Sequence, residues 1–345
     1  MFFATKPKGL FVEFANHSRR VVRANSATSP MVIEEFAACD ETDEEGWGEI
    51  LEHFLPKKST HGLLQAQCSV FPEKRLLRRS TIDPRRVKED GYLSEFAASQ
   101  YRIEPEGYNL AFINASNGAE YNMADPTEKE VMVVGIPKEG LDEAQDAVLA
   151  EGVYPDRLEF GSLACIGALA DYLKFNEIKA PVVVLELELN SAHSFIVSAD
   201  GVEASRLLPH GLSSMIPVVQ KELGLKDEES AKKLFFSNTF DFTGMGPTLI
   251  KRLLHELQSS IGFFEVQTGQ SISSVFCPNL SSKLSWLEEV IATQLGVGQL
   301  KLNLMPWLES RGITIAPSAA ELELTREWFG VLSLMPRYDA IKTEE

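Results

Sequence analysis

Two stretches of the chain share one pattern. "GLFVEFANHSRRVVRAN" (9–25) and "PVVVLELELNSAHSFIVSA" (181–199) each read as a strand, a short polar turn and a returning strand. In the second, Val182 to Leu185 form an unbroken apolar run, as in strands covered on both faces, and the turns carry Asn, His and Ser. Each hairpin is followed by further strands and helices, so the chain divides into two halves with one sheet each. The halves share architecture and not sequence. In the first, helices are expected at 46–55, 83–101, 138–152 and 164–173, and strands at 62–71, 76–82, 108–115, 129–137 and 154–163. Asp83-Pro84 opens the second of these helices. In the second half, strands are expected at 193–199, 202–209 and 271–278. Helices are expected at 211–224, 226–236, 246–269, 281–296 and 325–335. In the long helix, Leu249, Leu253, Leu257, Ile261 and Phe264 form a stripe at helical spacing.

Composition narrows the function classes. The 345 residues exceed what one small core serves, which favours two domains. Asp and Glu total 50 against 33 Lys and Arg, a net charge of −17. That balance opposes non-specific nucleic-acid binding and adsorption to anionic lipid. The stretch "EEFAACDETDEEGWGE" (34–49) holds eight acids and no base and reads as a solvated loop. No apolar run approaches the roughly 20 residues of a membrane span. The first residues show no secretory pattern, so a cytoplasmic chain without direct membrane insertion is expected. Cys39, Cys68, Cys165 and Cys277 are too dispersed for a metal motif and are expected as buried free thiols. His17 and His193 are expected in the hairpin turns.

The two hairpins carry a second signal. The first strand of each ends in a carboxylate, one residue, then a third position: Glu13-Phe14-Ala15-Asn16-His17-Ser18, and Glu186-Leu187-Glu188-Leu189-Asn190-Ser191. Late in the chain comes "LLHELQSSIGFFEVQTGQSISSVFCP", a long helix, a double aromatic, Glu and Gln, then a strand and Cys277-Pro278-Asn279-Leu280-Ser281-Ser282. Earlier stands "KEVMVVGIPKEGLDEAQDAVLAEGVYPDRLEFGSLACIGAL", and near the end "WFGVLSLM". In this order the segments resemble the actin-like proteins of the FtsA and PilM type. The nearer resemblance is to PilM, a cytoplasmic assembly protein of type IV pili related to the cytoplasmic part of the type II secretion L component.

The resemblance implies an α/β, two-domain actin-like (ASKHA) fold. Domain 1 would span 1–175, with subdomain 1A and an inserted subdomain 1C at about 82–156. Domain 2 would span 176–318, with 2A and with 2B at about 211–269, and a helix at 319–345 would pack back on domain 1. It also implies a former nucleotide site of Glu13, Asn16, Ser18, Glu186, Glu188, Asn190, Ser191 and Asn279. Family members hold ATP with Asp-x-Gly phosphate loops and a glycine-rich adenosine loop. Here Ala15, Glu188 and Pro278 stand where glycines let backbone N–H groups approach an anion. Glu188 adds negative charge beside a triphosphate, so no cofactor is expected, although the resemblance leaves ATP with Mg²⁺ open.

The function implied is a non-enzymatic adaptor of a pilus or type II secretion-like machine, peripheral to the inner membrane. Its partner would be the N-terminal cytosolic tail of a PilN-like membrane protein, lying extended between 1A and 1C. Phe71, Arg78, Leu93 and Phe96 are the expected contacts, although Leu93 and Phe96 also fit core packing. Self-association into a dimer or ring is implied by the resemblance alone. The alternatives are an actin-fold ATPase or small-molecule kinase with unusual loops, and an actin-like filament former.

Overall fold

A computed structural model describes residues 9–56, 62–237, 239–319 and 324–336. The mostly apolar strand β1 (Gly9–Ala15) turns at Asn16-His17 into β2 (Ser18–Ala24), its antiparallel partner. β3 (Met31–Asp40) lies antiparallel to β2. After α1 (Glu44–Phe54), β4 (Leu64–Val70) lies parallel to β1. The chain then leaves this sheet. β5 (Leu76–Thr81), α2 (Tyr92–Tyr101), β6 (Tyr108–Asn114) and β7 (Glu130–Pro137) follow, with the strands forming a separate antiparallel sheet in the order β5-β7-β6. α3 (Lys138–Ala150) leads back to β8 (Val153–Phe160), which pairs parallel with β4. α4 (Gly161–Phe175) follows.

The second hairpin is β9 (Val182–Leu187) and β10 (Ala192–Ser198), continued by β11 (Gly201–Leu208). α5 (Ile216–Leu223), α6 (Glu228–Ser237), α7 (Gly246–Leu249) and α8 (Lys251–Thr268) come next. β12 (Ser274–Phe276), α9 (Trp286–Leu295) and β13 (Gly298–Gln299) complete a five-stranded sheet of order β11-β10-β9-β12-β13. α10 (Leu304–Ser310), β14 (Ile313–Ile315) and α11 (Phe329–Ser333) close the described chain. β14 pairs parallel with β3, giving a six-stranded sheet of order β14-β3-β2-β1-β4-β8.

By contacts the chain forms two units. One holds the described residues up to Ala168, with Asp200–Val202 and those from Asn303 onward; the other holds Leu169–Ala199 and Glu203–Leu302. Residues 303–318, expected in domain 2, therefore belong with the first unit, because β14 completes its sheet. The inserted unit begins earlier than 82, since β5 pairs with β7, and it ends at α3, since β8 is back in the larger sheet. The expected helix at 319–345 falls partly outside the described residues; its described part, α11, is buried and packs on β1 and β2.

Three local expectations change. Residues 34–40 are strand, not loop. Local charge disfavours pairing there, but β2 supplies a counter-charge: Arg23 forms an ion pair with Glu35 at 2.9 Å. The buried Arg19 bonds Glu44 at 3.1 Å and Glu151 at 2.8 Å and lies over Trp47, whose indole N–H donates to the Glu151 carbonyl. The acids thus tie α1 to β2 and to the end of α3. The helix expected at 83–101 is confined to Tyr92–Tyr101. Asp83 accepts from Arg85 N–H in a turn, and Gly91 takes the left-handed conformation at φ 79° before the helix starts. His193 is not a turn residue but a buried strand residue of β10; His17 does lie in its turn. The stripe on the long helix is core: Leu249, Leu253, Leu257 and Phe264 are buried with β9, β12 and α9, although the helix breaks at Ile250.

Arg19→Ala leaves Glu151 and the Trp47 face without their cation. The expected loss is about 2–3 kcal/mol, between the roughly 0–1 kcal/mol of exposed pairs and the 3–5 kcal/mol of buried ones. Urea denaturation of both proteins measures it, and a loss below about 0.5 kcal/mol would show that the acidic segment is not held through Arg19.

Candidate functional site

The sequence-based site residues fall into two groups, one in each unit. In the first unit, β1 carries Glu13 inward. Its carboxylate accepts from Arg20 Nη1 at 2.9 Å, the residue opposite it on β2. Only 1% of Glu13 is exposed. α11 lies against it so closely that a methyl group at position 330 would overlap Glu13 Oε1 and push the carboxylate aside. Burial raises the Glu13 carboxyl above the usual range and outweighs the opposing attraction of Arg20. Asn16 and Ser18 are half-buried in the adjoining turn and at the start of β2.

In the second unit, Glu186 and Glu188 project on one side of the β9 end. Glu186 sits opposite His193 of β10 and both are buried. Glu188 turns into its own hairpin. Its carboxylate accepts from Ser191 Oγ at 3.0 Å and stands 3.9 Å from His193 Nε2, and 6% of the residue is exposed. The turn is clasped from outside: Leu212 and Ser213 N–H donate to the carbonyls of Glu188 and Leu189 at 2.9 and 2.7 Å. A side chain at Gly211 would collide with those same carbonyls. Asn190 accepts from Ser213 Oγ at 3.3 Å. Asn279 lies buried just past β12, whose Phe276 pairs with Val184 of β9, so it shares the carboxyl-terminal end of these parallel strands with the hairpin. Beside it, Glu288 of α9 accepts from the Cys277 N–H at 2.9 Å, a buried contact that sequence reading missed.

Among the described residues no group of three or more His, Cys, Asp or Glu is placed to hold a metal ion. The cysteines form no disulfide; Cys39 is half-buried rather than buried, and burial pushes the Cys68 thiol up to about 12.

The first unit also has an apolar groove of about 280 Å³. It lies where the chain passes between the larger sheet and the inserted one. Val70 ends β4, Ile136 lies on β7, Leu141 and Ala144 on α3, Leu158, Glu159 and Phe160 on β8, and Leu163 on α4. None of the four expected partner contacts lines it. Phe71 is buried with its ring against Gly161. Arg78 donates to the Leu77 carbonyl on β5, and burial lowers its guanidinium from the ordinary value. Leu93 and Phe96 pack on the inserted unit's own core of Tyr92, Phe112, Tyr121 and Val133. The run "GIPKEGLDEA…RLEFGSL" contains most of the lining residues and was the available signal. Among the described residues no helix is long and apolar enough to cross a membrane.

Glu13 gives two tests. A carboxyl raised by folding holds its proton longer in the native than in the unfolded chain, so ionising it costs stability as pH rises from about 4.5 through its folded value. Glu13→Gln removes that cost, and the melting temperature of the variant relative to wild type should climb across this window. A constant difference from pH 4 to 7 would contradict the burial account. Gly330→Ala should cost about 1–3 kcal/mol through overpacking, and Glu13→Ala in the same chain should restore part of it.

No protein-family model matches the sequence, and no curated protein matches it. Solved structures do match. The PilM–PilN type IV pilus biogenesis complex aligns over 96% of this chain and 99% of the other at 18% identity, with a TM-score of 0.65. The ethanolamine utilization protein EutJ from Carboxydothermus hydrogenoformans aligns over 95% and 90% at 10% identity and TM-score 0.45. The cytoplasmic domain of EpsL, an inner membrane component of the type II secretion system of Vibrio cholerae, aligns over 84% and 94% at 11% identity and TM-score 0.39. With its two hairpin-led sheets and the inserted three-stranded unit, the chain has the actin-like α/β fold in its PilM-like form.

Proposed function

We propose that this protein is a non-enzymatic adaptor that holds a short extended segment of a membrane partner in the groove of its first unit. The groove between β8 and the inserted unit carries this reading. At about 280 Å³ it falls just below the range of small-molecule sites, about 300–1,000 Å³, and suits one or two apolar side chains. The PilM-like fold suggests the occupant: the N-terminal cytosolic tail of a PilN-like inner-membrane protein, in a type IV pilus or type II secretion-like machine. The protein would then act at the cytoplasmic face of the inner membrane without inserting into it, and self-association would be a separate property of the assembled machine.

The hairpins support a lapsed nucleotide site. Magnesium and a triphosphate need accessible carboxylates and close backbone N–H groups. Glu13 is instead bound to Arg20 beneath α11, and Glu188 is folded onto Ser191 in the place of a glycine. Pro278 offers no N–H. These residues do not fit the group.

Titration of the full chain with synthetic N-terminal tails of membrane proteins encoded beside it tests the adaptor reading. Binding at micromolar affinity or better, about −8 kcal/mol, is expected. Ala144→Trp, which fills the groove, should weaken binding at least about tenfold while the melting temperature holds. No tail binding at concentrations far above micromolar would contradict the reading. Millimolar Mg²⁺–ATP is expected to leave the melting temperature unchanged, whereas a ligand at 100 times its Kd would add about 2.7 kcal/mol. A saturable upward shift would favour the ATPase or kinase reading.

A further inference from the structure

The groove has one charged lining residue, Glu159, and one wall that is the end strand of a sheet. β8 is terminal in the order β14-β3-β2-β1-β4-β8, so no strand of the described structure pairs with its outer side. Proteins commonly blunt such edges with proline and bulges. The first half of β8 follows that rule: Pro155 is there, and the register with β4 slips between Ala66 and Gln67, which leaves Asp156 as an extra residue. The second half does not. Arg157 to Phe160 pair in regular register with Gln67 to Val70, contain no proline, and are all half-exposed. This unblunted stretch is the one that borders the groove.

Glu159 is held there by a fixed cation. Arg157 forms an ion pair with Glu159, Nε to Oε1 at 2.7 Å, and Arg157 Nη2 donates to the Leu334 carbonyl just past α11 at 2.9 Å. The guanidinium is tied to backbone at one end and sets the carboxylate at the other. Side chains along a strand alternate, so Leu158 and Phe160 share one side and Glu159 takes the other, within one residue of the apolar pocket.

Resting on the adaptor reading, we propose that the groove takes its occupant as an added strand along Arg157–Phe160, and that it selects an aliphatic residue followed or preceded directly by Lys or Arg. The aliphatic side chain enters the pocket of Val70, Leu141, Leu158 and Leu163, and the neighbouring cation meets Glu159. Strand addition supplies sequence-independent main-chain bonds, and the alternate side chains supply the selectivity. An acidic neighbour meets a fixed carboxylate on a chain of net charge −17 and is rejected. Arg157 acts as a positioning residue.

A display library of random linear dodecapeptides, selected on the immobilised full chain, tests this. Wild type should enrich an aliphatic residue adjacent to Lys or Arg, and Glu159→Lys should enrich the same aliphatic position beside Asp or Glu. For a peptide resynthesised from the wild-type pool, Lys to Glu at that position should weaken binding at least about tenfold on wild type and not on the variant. Should Glu159→Lys fail to fold, Glu159→Gln replaces it, with the basic preference lost and not reversed. Enrichment without charge preference that Ala144→Trp abolishes overturns the Glu159 assignment and leaves the groove reading standing. No enrichment on wild type, or enrichment that Ala144→Trp does not affect, overturns both.

Discussion

The parallel pairing of β4 with β8 is the constraint on which the rest of the first unit depends. It sets Val70 beside Phe160, so the point where the chain leaves the larger sheet for the inserted unit lies next to the point where β8 ends and α4 begins. Parallel strands require a long crossover between them, and here the crossover is the whole inserted unit, with its own sheet and core. A groove between the sheet's edge and the insertion follows from that geometry. Its walls come from the end of β4, the last part of the crossover and β8, closed by Leu163 of α4, which continues directly from β8. Arg75 reinforces the junction: it donates to Ser162 Oγ at 3.0 Å and to the Pro72 carbonyl at 2.8 Å, tying the chain that leaves β4 to the start of α4.

The two hairpins each carry a buried carboxylate near the end of the first strand. Glu13 and Glu188 occupy the strand ends that ligand sites of open α/β sheets favour. Each is spent on internal bonds. Glu13 locks β1 to β2 through Arg20 and receives α11 at Gly330. Glu188 closes the β9–β10 turn through Ser191, and the segment Gly211–Ser213 clasps the turn's carbonyls. A buried carboxylate costs stability unless paired, which is why a partner stands at each position.

The hairpins were legible in the sequence because buried strands write their period directly, as Val182 to Leu185 do. The stripe from Leu249 to Phe264 was legible for the same reason. β3 was not: its acids read as a loop because Arg23, which pairs with Glu35, sits on another strand. The burial of Glu13 was equally hidden, since it depends on Gly330 near the far end of the chain. Of the expected partner residues, Leu93 and Phe96 are half-buried and pack against the inserted unit's core, a contact that their helical spacing also allowed. Most lining residues of the groove are half-buried aliphatics that a sequence cannot separate from core until two distant strands are set side by side.

Hydrogen exchange of the full chain, measured alone, with a bound tail peptide and with Mg²⁺–ATP, tests the central claim most directly. The account predicts that the peptide slows exchange in Arg157–Leu163 and in Ile136–Ala144, and that Mg²⁺–ATP changes neither hairpin. Protection of Glu13–Ser18 and Glu186–Ser191 by the nucleotide, with no peptide effect on β8, would contradict it.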